Sequence, residues 1–327
     1  MEIIGHENTL KQIDTAIMSA KKRNKAIPHV LLSGAAGCGK TTLANVIAKK
    51  SDADFLSVVP NDLNNYDSVV SIFEKFSHKN YDAYGNRTGV IKPTVVFMDE
   101  IHNLPLKGQE LFGLAMERFI IETGEPNKYY WIPYFTLVGA TTLSGKLSKP
   151  FRDRFKLLFD IQPYAYADMV KIVNFHIKDK SLFATQMAIQ EIAKRSKGTP
   201  RIAVGYVERM RDGALAEGSE LITKSLVNTL FNEMGVDEMG FTKIEMRILQ
   251  ALHDAKSPLS LDNLSIMLQE DSKSIKDYAE PYLIRENMIM VSGKGRILTQ
   301  KGKEYISTKG KLAKLEKREI NFDYVRK

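Results

Sequence analysis

At 327 residues the chain is too long for one ordinary core, so two or three domains are expected. With 43% hydrophobic and 26% charged residues it has the composition of a soluble globular protein, and no window approaches the roughly 18 unbroken apolar residues of a membrane span. A net charge of +8 suits a polyanionic partner such as a nucleic acid, or else a lysine-rich solvated surface.

The opening MEIIGHENTL has neither a basic nor an apolar signal region, and Cys38, the single cysteine, excludes an internal disulfide. Both observations fit a reducing cytoplasm. Residues 6–24 carry apolar side chains at helical spacing and end in a basic cluster. HVLLSG (29–34) reads as a strand entering a glycine-rich turn, and KTTLANVIAKK continues as a helix. DFLSVV (54–59) is a second strand and YDSVVSIFEKF (66–76) a helix. PTVVFMDE (93–100) is a buried strand ending in two acids, GQELFGLAMERF (108–119) a helix, and YFTLVGATT (134–142) another strand. Strands alternating with helices predict an α/β fold, a parallel sheet with helices on both faces.

From about residue 162 the pattern is helical only. Beyond 235, three helical stretches precede NMIMVSGKGRILTQKG (287–302), which reads as two strands around a glycine turn. Three helices and a two-stranded wing outline a winged-helix DNA-binding domain. The expected domains are a large P-loop domain at 1–161, a small all-helical domain at 162–235, a C-terminal winged helix at 236–306 and a basic tail at 307–327.

GAAGCGKT, Gly34 to Thr41, satisfies G-x-x-x-x-G-K-[ST] between a strand and a helix. Glycines at 34, 37 and 39 allow backbone N–H groups to turn inward around phosphates. Lys40 can reach the β- and γ-phosphates, the Thr41 hydroxyl can ligate Mg²⁺, and the helix N-terminus adds its positive dipole end. Cys38 is a tolerated small side chain within this loop. Asp99 stands at a strand end where it can hold Mg²⁺, and Glu100 can orient and deprotonate the attacking water. Alone, such an acid pair is more often a solvated strand end; following a phosphate loop, it favours ATP hydrolysis over nucleotide storage. Thr141 or Thr142 can sense the γ-phosphate from the next strand tip, or can simply form a threonine-rich strand end.

Taken together, GAAGCGKTT, MDEIH, GATT, RDRF and GTPRIA resemble the AAA+ ATPases, and specifically the RuvB family of bacterial Holliday-junction branch-migration motors. YFTLVGATT, SKGTPRIA and EDSKSIKDYAEPYLIRENMI narrow the match, which spans about residues 3 to 306. The resemblance implies an AAA+ core, a helical lid and a winged helix that act with ATP and Mg²⁺ on double-stranded or branched DNA, as a homo-hexameric ring. By position, Ile3 and Ile4 would pack on adenine, Thr42 and Tyr164 would lie beside the nucleotide, and Arg201 would reach the phosphates as the sensor-2 arginine. Arg154 would be an arginine finger acting on the neighbouring subunit's ATP, with Arg152 as an auxiliary or a partner of Asp153. Lys294 and Arg296 would contact DNA. The hairpin at 119–135, with Ile120, Ile121, Tyr129 and Tyr130, would dock a RuvA-like partner or pack on its own sheet.

Departures accompany the resemblance. The loop lacks the family's prolines, the chain starts close to the adenine-contacting segment, and Val291 replaces a DNA-contacting arginine. A divergent or phage-encoded homologue would fit them. Three rival classes share parts of this pattern. A clamp-loader-like ATPase at replication forks is the alternative, though its C-terminal collar is helical. A protein-remodelling machine would not need the winged helix. A winged-helix regulator would not need the Asp99–Glu100 pair.

Overall fold

The computed structural model describes residues 3–309 apart from 24, 78–92, 123–128 and 256. Its residues collect into two compact units, Met1–His176 with Gly198–Gly205 and Ile177–Lys197 with Tyr206–Lys327. Among the described residues no helix is long and apolar enough to cross a membrane.

In the first unit α1 (Glu7–Arg23) leads to β1 (Val30–Gly34), α2 (Lys40–Lys50), β2 (Asp54–Val58), α3 (Tyr66–Ser77), β3 (Thr94–Met98) and α4 (Leu106–Arg118). A hairpin of β4 (Ile120–Glu122) and β5 (Tyr129–Trp131) precedes β6 (Phe135–Thr141), α5 (Lys149–Arg152) and β7 (Leu157–Ile161). Five strands form one sheet in the order β2-β3-β6-β1-β7, and every pairing in it is parallel. Every residue of β3 and β6 is buried, which explains their unbroken apolar character. Alternate residues feed opposite faces. Val30, Leu32, Val95 and Phe97 join one core with Ile13, Ile17, Leu43 and Ile47. Leu31, Val96, Met98 and Leu137 join the other with Phe73, Phe112 and Phe151.

His29 ties this sheet to α4. The Leu137 N–H donates to its Nδ1 at 2.8 Å, so the ring hydrogen sits on Nε2 and is donated to Met116 O at 3.1 Å. Burial pushes the imidazole pKa down to about 4, which keeps the ring neutral. β7 has no counterpart in the sequence-based expectation. It is an edge strand with Leu158 and Asp160 exposed, so it lacks the continuous apolar run that marks β3 and β6.

α6 (Tyr166–Asp179) and, after β8 (Phe183–Ala184) and α7 (Gln186–Arg195), α8 (Pro200–Ala216) each run from one unit into the other. The second unit continues with β9 (Leu221–Ile222) and α9 (Lys224–Met234). The expectation of helices alone needs correcting here, because β8 and β9 pair in parallel. The pair sets two helix starts side by side. Thr185 and Thr223 cap α7 and α9 by accepting from Ala188 N and Leu226 N, each cap being worth about 1 kcal/mol.

The remainder is α10 (Lys243–Ala255), α11 (Leu261–Leu268), α12 (Ser272–Ser274), a π-turn over Ile275–Ala279, α13 (Glu280–Arg285), β10 (Ile289–Ser292) and β11 (Gly295–Leu298). A last helix spans 300–309. The widened turn ends two residues before Pro281, which has no N–H to continue the helical ladder. β10 and β11 form the expected antiparallel wing. Gly295, at φ +127°, lies so close to Leu259 O that a Cβ would come within 2.4 Å of it, and reciprocal backbone hydrogen bonds join Leu259 to Arg296. The basic tail expected from 307 lies outside the described residues from 310 onward.

Candidate nucleotide-hydrolysis site

The sheet order places the ends of β1, β6 and β3 next to one another, so the segments leaving these strands converge at one edge. The loop after β1 makes the cradle. Gly34 has φ +144°, and a Cβ there would lie 2.2 Å from Ile161 O. Gly39, at φ +88°, is the cap from which α2 starts. Lys40, only 6% exposed, folds its ammonium onto the loop and donates to Gly34 O at 2.8 Å and Ala35 O at 2.9 Å. Burial lowers its pKa, opposed chiefly by the nearby Glu100.

One cleft of about 320 Å³ collects most of the expected residues: Ile3, Ile4, Gly37, Gly39, Lys40, Thr41, Thr42, Asp99, Glu100, Tyr164 and Arg201. Gly34 lies beneath it as an acceptor for Lys40. A Cβ at Gly37 would come within 2.9 Å of both Arg201 and Thr199, so the loop and the start of α8 meet closely. Arg201 N also donates to Gly37 O. The N-terminal segment packs on Tyr164, whose ring meets the His6 ring edge-on at 4.4 Å. Burial pushes the Tyr164 phenol up to about 12, leaving it a neutral hydrogen-bonding group at physiological pH.

The acids line the same cleft. Asp99 Oδ1 accepts from the Glu100 N–H at 3.0 Å. Glu100 has φ +46°, in the left-handed region that non-glycine residues rarely use. Of the two threonines, Thr141 is fully buried and does not line the cleft, whereas Thr142 is exposed and donates to Glu100 Oε2 at 3.3 Å.

Arg154 is placed apart from this cleft. It lies with Leu106, Gln109, Glu110, Ser148 and Phe151 around a separate cavity of about 370 Å³. Its Nη1 donates to Pro150 O at 2.6 Å and its Nη2 to Glu117 at 3.2 Å, while the buried Nε has no partner among the described residues. No ion pair links Arg152 to Asp153 among the described residues, and both are exposed. On the wing, Lys294 is exposed at the turn, but Arg296 is spent internally, donating to both carboxylate oxygens of buried Glu280 at 2.6 and 3.2 Å. The β4–β5 hairpin exists, and Ile120 is half-buried. The side chains of Ile121, Tyr129 and Tyr130 lie outside the described residues.

Sequence reasoning missed Ile172, Phe175, His176, Pro200 and Val204, all of which line the cleft from α6 and α8. Their helical spacing is indistinguishable from that of ordinary core positions. It also missed His102, whose Nδ1 lies 3.0 Å from Thr141 Oγ1 and 3.1 Å from Glu100 Oε2. The acids and His102 are neighbours in the MDEIH stretch, so that signal was present in the sequence.

Among the described residues no three His, Cys, Asp or Glu side chains gather into a metal site. The Thr41 hydroxyl and Asp99 carboxylate are hard oxygen donors on one cleft, the donor set that suits Mg²⁺ carried in with phosphates.

Three family matches tile the chain. Residues 1–161 match the Holliday junction DNA helicase RuvB P-loop domain, 164–237 the RuvB AAA lid domain and 238–307 the RuvB C-terminal winged helix domain. A Holliday junction branch migration complex subunit RuvB from Wolbachia sp. subsp. Brugia malayi is 34% identical over 312 residues, covering 94% of this chain and 91% of the relative. One from Campylobacter jejuni subsp. doylei is 36% identical over 305 residues, covering 91% and 87%. The solved Thermotoga maritima RuvB Holliday junction branch migration motor superposes with a TM-score of 0.77 at 30% identity, covering 93% of this chain and 95% of that one.

Proposed function

The chain belongs to the RuvB family, and on that premise we propose that it is an ATP hydrolase that works as a homo-hexameric ring and drives duplex DNA through Holliday junctions. The observation that carries this reading is the convergence of Lys40, Thr41, Asp99, Glu100 and Arg201 on one cleft while Arg154 lies outside it. Such a subunit holds a phosphate cradle and a base, and offers its remaining guanidinium elsewhere. Nothing among the described residues favours clamp loading, since the C-terminal domain carries a wing rather than a helical collar.

In this reading the loop N–H groups and Lys40 hold the β- and γ-phosphates, and Ile3, Ile4, Tyr164 and Phe175 enclose the base of the nucleotide. Thr41 and Asp99 would hold Mg²⁺, which supplies charge neutralisation at the phosphate oxygens when bound. Glu100 accepts a proton from the water that attacks the γ-phosphorus, and Arg201 steadies the phosphates as the bond to ADP breaks. Arg154 acts on the ATP of the adjacent subunit. The exposed wing and Lys294 meet the DNA backbone. A RuvA-like protein would dock at the hairpin.

A labelled four-way junction incubated with the chain, ATP and Mg²⁺, with and without RuvA, tests the reading. Migration should occur with wild type, and Lys40→Ala should reduce ATP turnover by at least about 10²-fold and abolish migration, since it removes a charged phosphate donor. ATP turnover without migration under either condition would overturn the motor reading.

A further inference from the structure

We propose that His102 is the positioning residue for Glu100, tying the base to Thr141 at the tip of β6 through a single nitrogen, Nδ1. The proposal rests on the reading of Glu100 as the base that accepts the water proton.

The local sequence explains the placement. Ile101 is fully buried and packs so closely on Gly139 of β6 that a Cβ there would lie 2.7 Å from its Cδ1. That contact pins the 3₁₀ turn Ile101–Asn103, and with it the residues on either side of Ile101. The His102 side chain is 9% exposed and its Nδ1 sits 3.1 Å from Glu100 Oε2 and 3.0 Å from Thr141 Oγ1. An ionised carboxylate offers no hydrogen, so the ring hydrogen is on Nδ1, where it is donated to Thr141 Oγ1 and leaves Glu100 Oε2 at ion-pair distance from the same N–H. Thr141 Oγ1 also accepts from Leu143 N at 2.9 Å, which fixes that hydroxyl to the backbone leaving β6.

Glu100 needs such a hold. Its φ of +46° is a conformation that surroundings must impose on a non-glycine residue. Among the described residues its side-chain hydrogen bond is from the Thr142 hydroxyl at 3.3 Å, from an exposed residue. His102 is therefore the less exposed member of the pair that restrains the carboxylate. Thr141, fully buried, meets the site through His102 rather than directly. A base displaced by about 1 Å can lose on the order of 10²-fold in rate.

The choice of nitrogen makes a sharp test. The amide nitrogen of asparagine occupies nearly the position of Nδ1, whereas glutamine places its amide nearer to Nε2. Full-length His102→Asn, His102→Gln and His102→Leu would be compared with wild type in ATP turnover, in affinity for a fluorescent ATP analogue and in melting temperature. His102→Gln and His102→Leu should lower kcat by about 10²-fold with analogue affinity within a few-fold of wild type, and His102→Asn should recover most of the rate. Equal kcat in the Asn and Gln variants, whether high or low, would overturn the assignment. Glu100→Gln is run alongside. Loss of turnover there with full turnover in His102→Gln rejects the positioning role alone. Full turnover in Glu100→Gln rejects the base reading and the proposal with it.

Discussion

Lys40 in the first unit and Lys197 in the second are both largely buried ammonium groups, yet their charges are met in opposite ways. Lys197 Nζ donates to both Glu245 oxygens at 2.7 and 2.6 Å and lies over the Tyr282 ring at 4.6 Å. Glu245 in turn accepts from Thr242 N and Oγ1, both at 2.7 Å, so the cluster is closed. Lys40 rests on two neutral carbonyls in a cleft shared with Asp99 and Glu100. A buried cation matched by a buried carboxylate is structural; one held by carbonyl dipoles keeps charge to offer an anionic ligand. The arginines repeat the contrast. Arg296 is held bidentately by buried Glu280, whereas Arg154 leans on Glu117, whose side chain is 58% exposed, and leaves Nε without a partner among the described residues.

The largest expected effect tests whether the incompletely satisfied arginine serves a second subunit. Arg154→Ala should lower ATP turnover by roughly 10³–10⁵-fold, the range for fingers that stabilise phosphoryl-transfer charge. Because Arg154 does not line its own subunit's cleft, the loss should be complementable. Mixing Arg154→Ala subunits with Lys40→Ala subunits creates interfaces in which one subunit gives an intact cleft and the other an intact finger. Steady-state turnover of the mixture should exceed that of either variant alone. A mixture as inactive as its parts would return Arg154 to a role within its own chain.

A smaller effect separates the two lysines by stability instead of rate. Glu245→Ala leaves the Lys197 ammonium largely buried without its carboxylate, and breaking such a pair costs about 3–5 kcal/mol. Lys40→Ala removes a charge that burial already disfavours, so its unfolding free energy in the absence of nucleotide should stay within about 1 kcal/mol of wild type. Urea titrations of both variants measure this directly. Equal losses would erase the distinction between a structural and a ligand-directed cation.

Much of this contrast was legible in the sequence on one side only. The phosphate loop and the acid pair carry their meaning in local spacing, because backbone geometry fixes where Gly34, Lys40 and Asp99 must lie. The finger role proposed for Arg154 required the family resemblance. The partners that satisfy a buried charge lie far away along the chain, as Lys197 and Glu245 do, and no local pattern announces them. Arg296 shows the cost: basic and next to a wing turn, it reads as a DNA contact until Glu280, sixteen residues earlier, is seen to hold it. β7 escaped for a related reason, since an edge strand with Leu158 and Asp160 exposed has no continuous apolar run.

The smallest expected effect lies on that same wing. Lys294 is exposed at the turn between β10 and β11, flanked by Gly293 and Gly295. A single phosphate contact there should contribute about one unit to the salt dependence of junction binding. Lys294→Ala should thus weaken binding a few-fold at low salt and flatten the slope of log affinity against log salt by about one. Arg296→Ala should leave that slope unchanged and instead lower the melting temperature, because it strands the carboxylate of Glu280, which is 3% exposed. If the slope falls for Arg296→Ala as well, its ion pair with Glu280 must open on DNA, and the division between satisfied and available cations would then hold only without a nucleic acid bound.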